Sequence, residues 1–199
     1  DSVTAIATGA SYNDKNVAAA STIGYTGLAL AGAEAGNYSL AATTAQGAGT
    51  ITRRALTIGA VTEQTKTYDG TTAADASQFS ATLNNAVAGD SVTATATGAA
   101  YNSKDVATAN AVSYTGVALQ GTGVGNYTLN ATAAQGAGRI TPKQLTLALT
   151  GGARFDKTYD GTANVTQTLT KETNYSLTGF IGTEGDHLAL AAATGAYTA

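Results

Sequence analysis

Apolar and polar residues alternate with a period of two along several short stretches of the chain. In SVTATAT, Ser91 to Thr97, Val92, Ala94 and Ala96 fall on one side and Thr93, Thr95 and Thr97 on the other. LTLALT, Leu145 to Thr150, places Leu145, Leu147 and Leu149 on one face, and ALTIGAV, Ala55 to Val61, is its counterpart. Successive side chains of a strand point to opposite faces, so this period predicts half-buried β-strands. No stretch shows convincing helical periodicity, and the Thr and Val content favours strand as well. The breaks AGD, TG and QGAG mark turns. The expected class is all-β, in tandem linkerless β-sandwich-like (Ig-like) modules forming a rod. The segment TTAADASQF, Thr71 to Phe79, leaves room for one short helix, and with it a β-grasp-like module as the alternative.

The alternation recurs at a fixed offset. DSVTAIATGASYNDKNV, Asp1 to Val17, realigns with DSVTATATGAAYNSKDV, Asp90 to Val106, 89 residues on. The same offset carries GNYSL at Gly36 onto GNYTL at Gly125, and AQGAGTIT at Ala45 onto AQGAGRIT at Ala134. Of the first 52 residues, 34 are identical to their partners. A third copy begins with GDHLALAAATGAY at Gly185. Fixed self-similarity is the signature of a repeat architecture. It divides the chain into the latter part of one module (1–54), a complete module (55–142) and the front of a third (143–199). ITRRALTI and ITPKQLTL pass from module to module without a linker, and Pro142 stiffens the second junction by fixing its own φ. Strands of ordinary length would make each module about 35 to 45 Å long.

Composition narrows the picture further. Leu, Ile, Val and Phe number only 33 of 199 residues, the proportion of a disordered chain, yet the formal net charge is −3 and only 12% of residues are charged. A folded chain with a thin core follows, in which Ala, Thr and ten Tyr take the place of larger aliphatics. Nine of those Tyr recur at module positions, which marks them as module core: Tyr12, Tyr101 and Tyr197; Tyr25 and Tyr114; Tyr38 and Tyr127; Tyr68 and Tyr159. With no Cys, disulfides and thiol chemistry are excluded. No run of 18 apolar residues is present, so no membrane-spanning helix is expected. The first ten residues lack the basic and apolar regions of a signal peptide, which is expected outside this stretch or already removed. A pI near 4.9 with scattered Lys and Arg argues against a nucleic-acid partner.

One motif stands out within the repeat: KTYDGTTAA at Lys66 returns as KTYDGTANV at Lys157. Asp-Gly is strong turn chemistry, so Tyr68, Asp69, Gly70 and Tyr159, Asp160, Gly161 are expected to form a structural turn. KTYDGTT, a strand after AGD, then YNSKDV, YTGVAL, GNYTL and ITPKQLTL follow in that order. The order resembles the YDG-type repeat of large bacterial surface adhesins, the filamentous-haemagglutinin-like proteins exported by two-partner secretion, which also carry related MBG repeats. The third copy departs by reading DHLALAAA in place of DSVTATAT and by five extra residues between its YDG and its GD. The resemblance implies export across the outer membrane, an extracellular cell-surface or biofilm-matrix location, and a stalk role.

Candidate chemistry is sparse. A nucleophilic site needs a base, and the single His, His187, stands where the other copies have Ser2 and Ser91, so it is read as a solvent-facing strand residue. Paired carboxylates do not recur either: Glu34 faces Gly123, and Glu63 faces Gly152. No enzyme activity is expected. Calcium is the one cofactor with candidate ligands, Asp69, Asp160, Asp90 and Asp186, although no stretch resembles D-x-D-x-D-G and Asp beside Gly is ordinary turn chemistry. Asn37, Asn126, Asn130, Asn164 and Asn174 lie in N-x-S/T sequences; glycosylation there is implied by the resemblance alone, and Asn37 and Asn126 also suit a strand-entry turn. The expected function is a structural stalk or filament segment of a secreted adhesin, supporting cell adhesion or biofilm. The alternative is a glycan- or matrix-polysaccharide-binding module acting by avidity, with the recurring Tyr as its motive. Expected partners are neighbouring repeat modules or other copies of the chain, with polysaccharide or a host surface beyond them. Half-modules at the ends would expose sheet edges, so they are expected to complete one another between chains or to order only in an assembly or a longer parent.

Overall fold

Short strands punctuated by Gly and Asn turns build the chain. The computed structural model describes residues 2–150, 156–165, 170–187 and 195–196, and the side chains at 165, 186, 187, 195 and 196 stand outside that description. The first copy of the repeat contributes β1 (Thr4–Ile6), β2 (Gly9–Tyr12), β3 (Thr22–Thr26), β4 (Ala29–Ala31) and β5 (Thr44–Ala48). The complete copy contributes β6 (Arg54–Val61), β7 (Gln64–Thr67), β8 (Ala81–Asn84), β9 (Val92–Thr95), β10 (Gly98–Tyr101), β11 (Ala111–Thr115), β12 (Ala118–Gly121), β13 (Tyr127–Leu129) and β14 (Ala133–Thr141). The third supplies β15 (Thr146–Leu149), β16 (Asn164–Val165), β17 (Tyr175–Thr178) and β18 (Gly195–Ala196). The fold is all-β. The segment Thr71–Phe79 holds one 3-10 turn, Ala76–Gln78, capped by the Asp75 carboxylate on the Ser77 amide. SVTATAT does not run as one strand: β9 ends at Thr95, β10 starts at Gly98, and the two belong to different sheets.

The chain divides into two compact units. One comprises Asp1–Gln64, Ala73–Tyr101 and Ala111–Ala137; the other comprises Thr65–Thr72, Asn102–Asn110 and Gly138–Ala199. In the first unit β1 pairs with β4, and β9 with β12. β2, β3 and β5 form an antiparallel sheet whose register reappears 89 residues on: Gly9 faces Thr26 as Gly98 faces Thr115, and Thr22 faces Ala48 as Ala111 faces Ala137. β6 pairs in parallel with β13 and antiparallel with β8. In the second unit β15 pairs with β17, and β16 with β18.

Identical registers do not give identical burial, because β6 and β7 lie against strands of the complete copy, β13 and β14. Its sheet is four-stranded, in the order β10-β11-β14-β7, where the first copy stops at three. Tyr101, Tyr114 and Tyr127 are 3%, 0% and 4% exposed, while Tyr12, Tyr25 and Tyr38, at the same module positions, are 44%, 36% and 53% exposed. The partners that cover the complete set come from the front of the module. The Phe79 ring packs on Tyr114 with centroids 4.8 Å apart. The Tyr101 hydroxyl donates to the Gln64 carbonyl at 3.0 Å. β6 pairs along Tyr127–Leu129, with Leu56 in register with Leu129 and fully buried. In the second unit Ile140 and Tyr175 are the large fully buried side chains.

Two outcomes follow. Amides of β11 exchange with solvent more slowly than the matched amides of β3, by roughly tenfold or more, because opening the covered sheet requires disrupting the packed front strands; hydrogen exchange read by NMR checks this. Tyr101→Phe, which removes a bonded hydroxyl, costs about 1 kcal/mol in urea unfolding. Tyr114→Phe is neutral or stabilising, since the buried Tyr114 hydroxyl has no hydrogen-bond partner among the described residues.

Candidate functional site

The motif KTYDGT folds into a closed electrostatic loop. Asp69 Oδ1 accepts from the Thr71 amide at 2.9 Å and from Thr71 Oγ1 at 2.9 Å, the side-chain-to-backbone turn that Asp favours. Lys66 Nζ reaches back to the same oxygen at 2.7 Å and also donates to the Thr71 carbonyl at 2.9 Å. Gly70 closes the loop at φ +77°, a left-handed conformation that a β-carbon would strain. The second copy repeats every part: Lys157 Nζ to Asp160 Oδ1 at 2.8 Å, the Thr162 amide to Asp160 at 2.9 Å, and Gly161 at φ +76°. The Lys66 ammonium and the two Thr71 donors hold the Asp69 carboxyl at about 2, against its ordinary 3.8, and Asp160 sits at about 2 for the same reasons. The Tyr of each motif goes elsewhere. Tyr68 donates its hydroxyl to the Glu184 carboxylate, which raises the phenol's pKa, and Tyr159 is almost fully exposed.

The calcium candidates are thus dispersed. Asp69 and Asp160 each have an oxygen occupied by an ammonium and a threonine, in two separate loops. Asp90 accepts the Tyr127 hydroxyl at 2.5 Å, which raises the pKa of that phenol, and Asp186 has its side chain outside the described residues, as does His187. Among the described residues no three His, Cys, Asp or Glu side chains gather. Of the N-x-S/T residues, Asn37 donates to Glu34 at 2.8 Å, Asn130 and Asn164 are exposed, and Asn174 accepts the Thr170 amide at 2.9 Å. Asn126 has both ends of its amide engaged.

That engagement defines the feature sequence patterns did not reveal, the junction of consecutive modules. Asn13 shapes it: its Nδ2 donates to the Ala19 carbonyl at 3.1 Å and its Oδ1 accepts the Ser21 and Thr22 amides at 3.0 Å each, folding residues 13–22 into a tight loop. The loop presents Asn16 and Val17 to the next module. There Asn126 Nδ2 donates to Asn16 Oδ1 at 2.9 Å, while its Oδ1 accepts the Val17 amide at 2.9 Å. Arg54, the first residue of β6, and Arg53 before it line the same cleft of about 1020 Å³ with Asp90 and Tyr127. In the second unit the equivalent positions line a smaller cleft of about 280 Å³: Asp105 and Val106 of the following loop, Pro142 and Lys143 of the following junction. Its other wall is Tyr68, Leu145, Phe180, Ile181 and Glu184. Asn102 folds its loop as Asn13 does, donating to the Thr108 carbonyl at 3.1 Å and accepting the Asn110 amide at 3.0 Å. The recurring Asn in YND and YNS was the available signal.

Fold and junctions together describe an all-β chain of repeated modules. The YDG domain matches residues 1–45 and 52–135, and the chain belongs to that family. No curated protein and no solved structure matches it.

The caged carboxylates carry a pH dependence of defined sign. The folded pKa lies below the unfolded one, so the stabilisation is fully present above about pH 4 and is lost as pH falls toward 2. Carboxyl chemical shifts of Asp69 and Asp160 titrate with midpoints near 2, and Lys66→Ala returns Asp69 toward 3.8 while leaving Asp160 unchanged.

Proposed function

We propose that this chain is a stalk or filament segment of a secreted bacterial adhesin, placed at the cell surface or in the biofilm matrix, whose repeated β-sandwich-like modules hold a binding region away from the cell. The observation that carries this reading is the bridged, linkerless junction. β6 begins at Arg54, directly after the first copy, and Asn126 ties the following module to Asn16 and Val17 of the one before. Only residues 49–53 separate β5 from β6, and the two hydrogen bonds of Asn126 restrain that connection. The recurring chemistry closes turns and joins modules, which suits a mechanical role and not a catalytic one. The chain belongs to the YDG family, and its order of motifs resembles that of adhesin repeats exported by two-partner secretion, which is what favours this reading.

The polysaccharide-binding alternative relies on recurring Tyr as sugar platforms. In the complete module Tyr101, Tyr114 and Tyr127 are buried, which leaves their rings no face for a sugar.

Scattering from chains of two, four and six complete modules tests the stalk. The maximum dimension grows by a constant increment of about 35 to 45 Å per module; a particle that stays compact as modules are added overturns the reading. In the same chains Asn126→Ala, applied at every junction, removes two hydrogen bonds worth about 1 kcal/mol each. It broadens the distribution of end-to-end distances and leaves the NMR spectrum of each module interior unchanged.

A further inference from the structure

Positive charge gathers in the cleft of the first junction. Lys15, Arg53 and Arg54 line it, and all three are exposed. Elsewhere in the chain Lys66, Lys104, Lys157 and Lys171 each have a carboxylate partner, in Asp69, Asp105, Asp160 and Glu172. Lys15, Arg53 and Arg54 have no carboxylate within ion-pair distance and no hydrogen-bond acceptor among the described residues. Asp90 is the only carboxylate on the cleft wall among the described residues, and it is turned to the Tyr127 hydroxyl at 2.5 Å. Three cations against one carboxylate leave the cleft two positive charges in excess, in a chain whose net charge is −3. The junction loop does not need these charges for its shape. At the positions 89 residues on, Lys104 is paired with Asp105 at 3.1 Å, Pro142 stands for Arg53 and Lys143 for Arg54. The Asn102 loop closes there just as the Asn13 loop does here. Cations that the scaffold can dispense with are available to a ligand.

We propose that this cleft binds a carboxylated polysaccharide, a run of uronic acid residues, with Arg53, Arg54 and Lys15 as its carboxylate partners. A planar guanidinium matches a carboxylate with two parallel N–H donors, and an ammonium adds a point charge. Thr52, Ser91 and Thr122 line the same cleft, and their hydroxyls both donate to and accept from the hydroxyls of a sugar. Two other polyanions suit the walls less well. Single-stranded nucleic acid is held on exposed aromatic rings, and the one ring lining the cleft, Tyr127, is 4% exposed. An extended acidic peptide adds to an open sheet edge, whereas β6, which begins in the cleft, is already paired on one side with β13 and on the other with β8. The sugar is therefore held by charge and hydroxyls, and the buried tyrosines take no part. All the residues of the cleft belong to one compact unit, so the site is the same in a rod or in a compact particle, and failure of the stalk reading leaves it standing.

Titration of the full chain with hexagalacturonate, followed by NMR of backbone amides and arginine Nε–H groups, tests the site. Expected at about 20 mM salt is a dissociation constant of about 0.1 to 1 mM, with shifts confined to Arg53, Arg54 and the walls of the cleft. Raising the salt to about 0.2 M weakens binding about tenfold, because exposed charges are screened. Arg53→Gln combined with Arg54→Gln weakens it about tenfold or more, since both guanidiniums are lost. Lys15→Gln, in a loop outside every strand, weakens it about threefold and keeps the test decisive if the double variant disturbs β6. Arg139→Gln, at an exposed position outside the cleft, leaves binding unchanged. Fully methyl-esterified hexagalacturonate, which keeps the sugar and loses the charge, does not bind. Absence of shifts up to about 10 mM hexagalacturonate overturns the proposal, as does equal binding of the ester. So does a loss with Arg139→Gln as large as with the cleft arginines. Hexaglutamate or hexathymidylate binding as tightly as the sugar overturns it too, in favour of an acidic peptide or a nucleic acid.

Discussion

The complete module buries Tyr101, Tyr114 and Tyr127 with strands supplied from the sequence ahead of them, and the rest of its structure depends on that supply. The chain has few large aliphatics, so its core is made by Tyr rings sandwiched under short Ala- and Thr-rich strands. Full burial of one large apolar side chain is worth about 1.5 to 3 kcal/mol, against a net folding free energy of about 5 to 15 kcal/mol. Covering Tyr101, Tyr114, Tyr127 and Leu56 therefore commits a large share of a module's stability to contacts across its two halves.

The turn chemistry serves the same end. A strand such as β7 can cover the back half only if the chain leaving it turns at once, and Asp69, Lys66 and Thr71 achieve this with a carboxylate saturated by donors. The loop is exposed, so the ion pair within it is worth little as a charge interaction and acts mainly through its geometry. Gly70 supplies the left-handed φ that no other residue in the motif could take without strain. The Asn13 and Asn102 loops work alike, using one side-chain amide to replace backbone bonds that the excursion would leave open.

Periodicity made the all-β class legible, and self-comparison made the 89-residue period legible, because both are properties of the local string. Strand ends were less so. SVTATAT alternates perfectly and still breaks after Thr95, since β9 and β10 serve different sheets and alternation is blind to which neighbour a strand pairs with. Burial of the tyrosines was beyond any local reading. GNYSL and GNYTL differ by one methyl group, but Tyr38 is exposed and Tyr127 is enclosed, because β6 lies beside only one of them. The candidate site shows the same division. YDG was readable as a turn motif, whereas the bridge from Asn126 to Asn16 links residues 110 apart, and the Asn of GNY reads equally well as a turn former or a glycosylation sequence.

Two copies with the same registers and opposite exposure also say where stability resides. In an array of such modules the free energy is a sum of weak intrinsic terms and strong nearest-neighbour terms, the regime of repeat proteins. Here the division is finer than the module: the coupling runs between the front and the back of one module, and again through Asn126 into the module before. Loss of a front half would thus be felt by the tyrosines of its own back half and, through Asn126 and the loop at residues 13–22, by the junction with the module before. A thin core arranged in this way gains little from enlarging any one module and much from adding another. That is the physical reason for a sequence to spend its length on near-identical copies and not on a larger aliphatic interior.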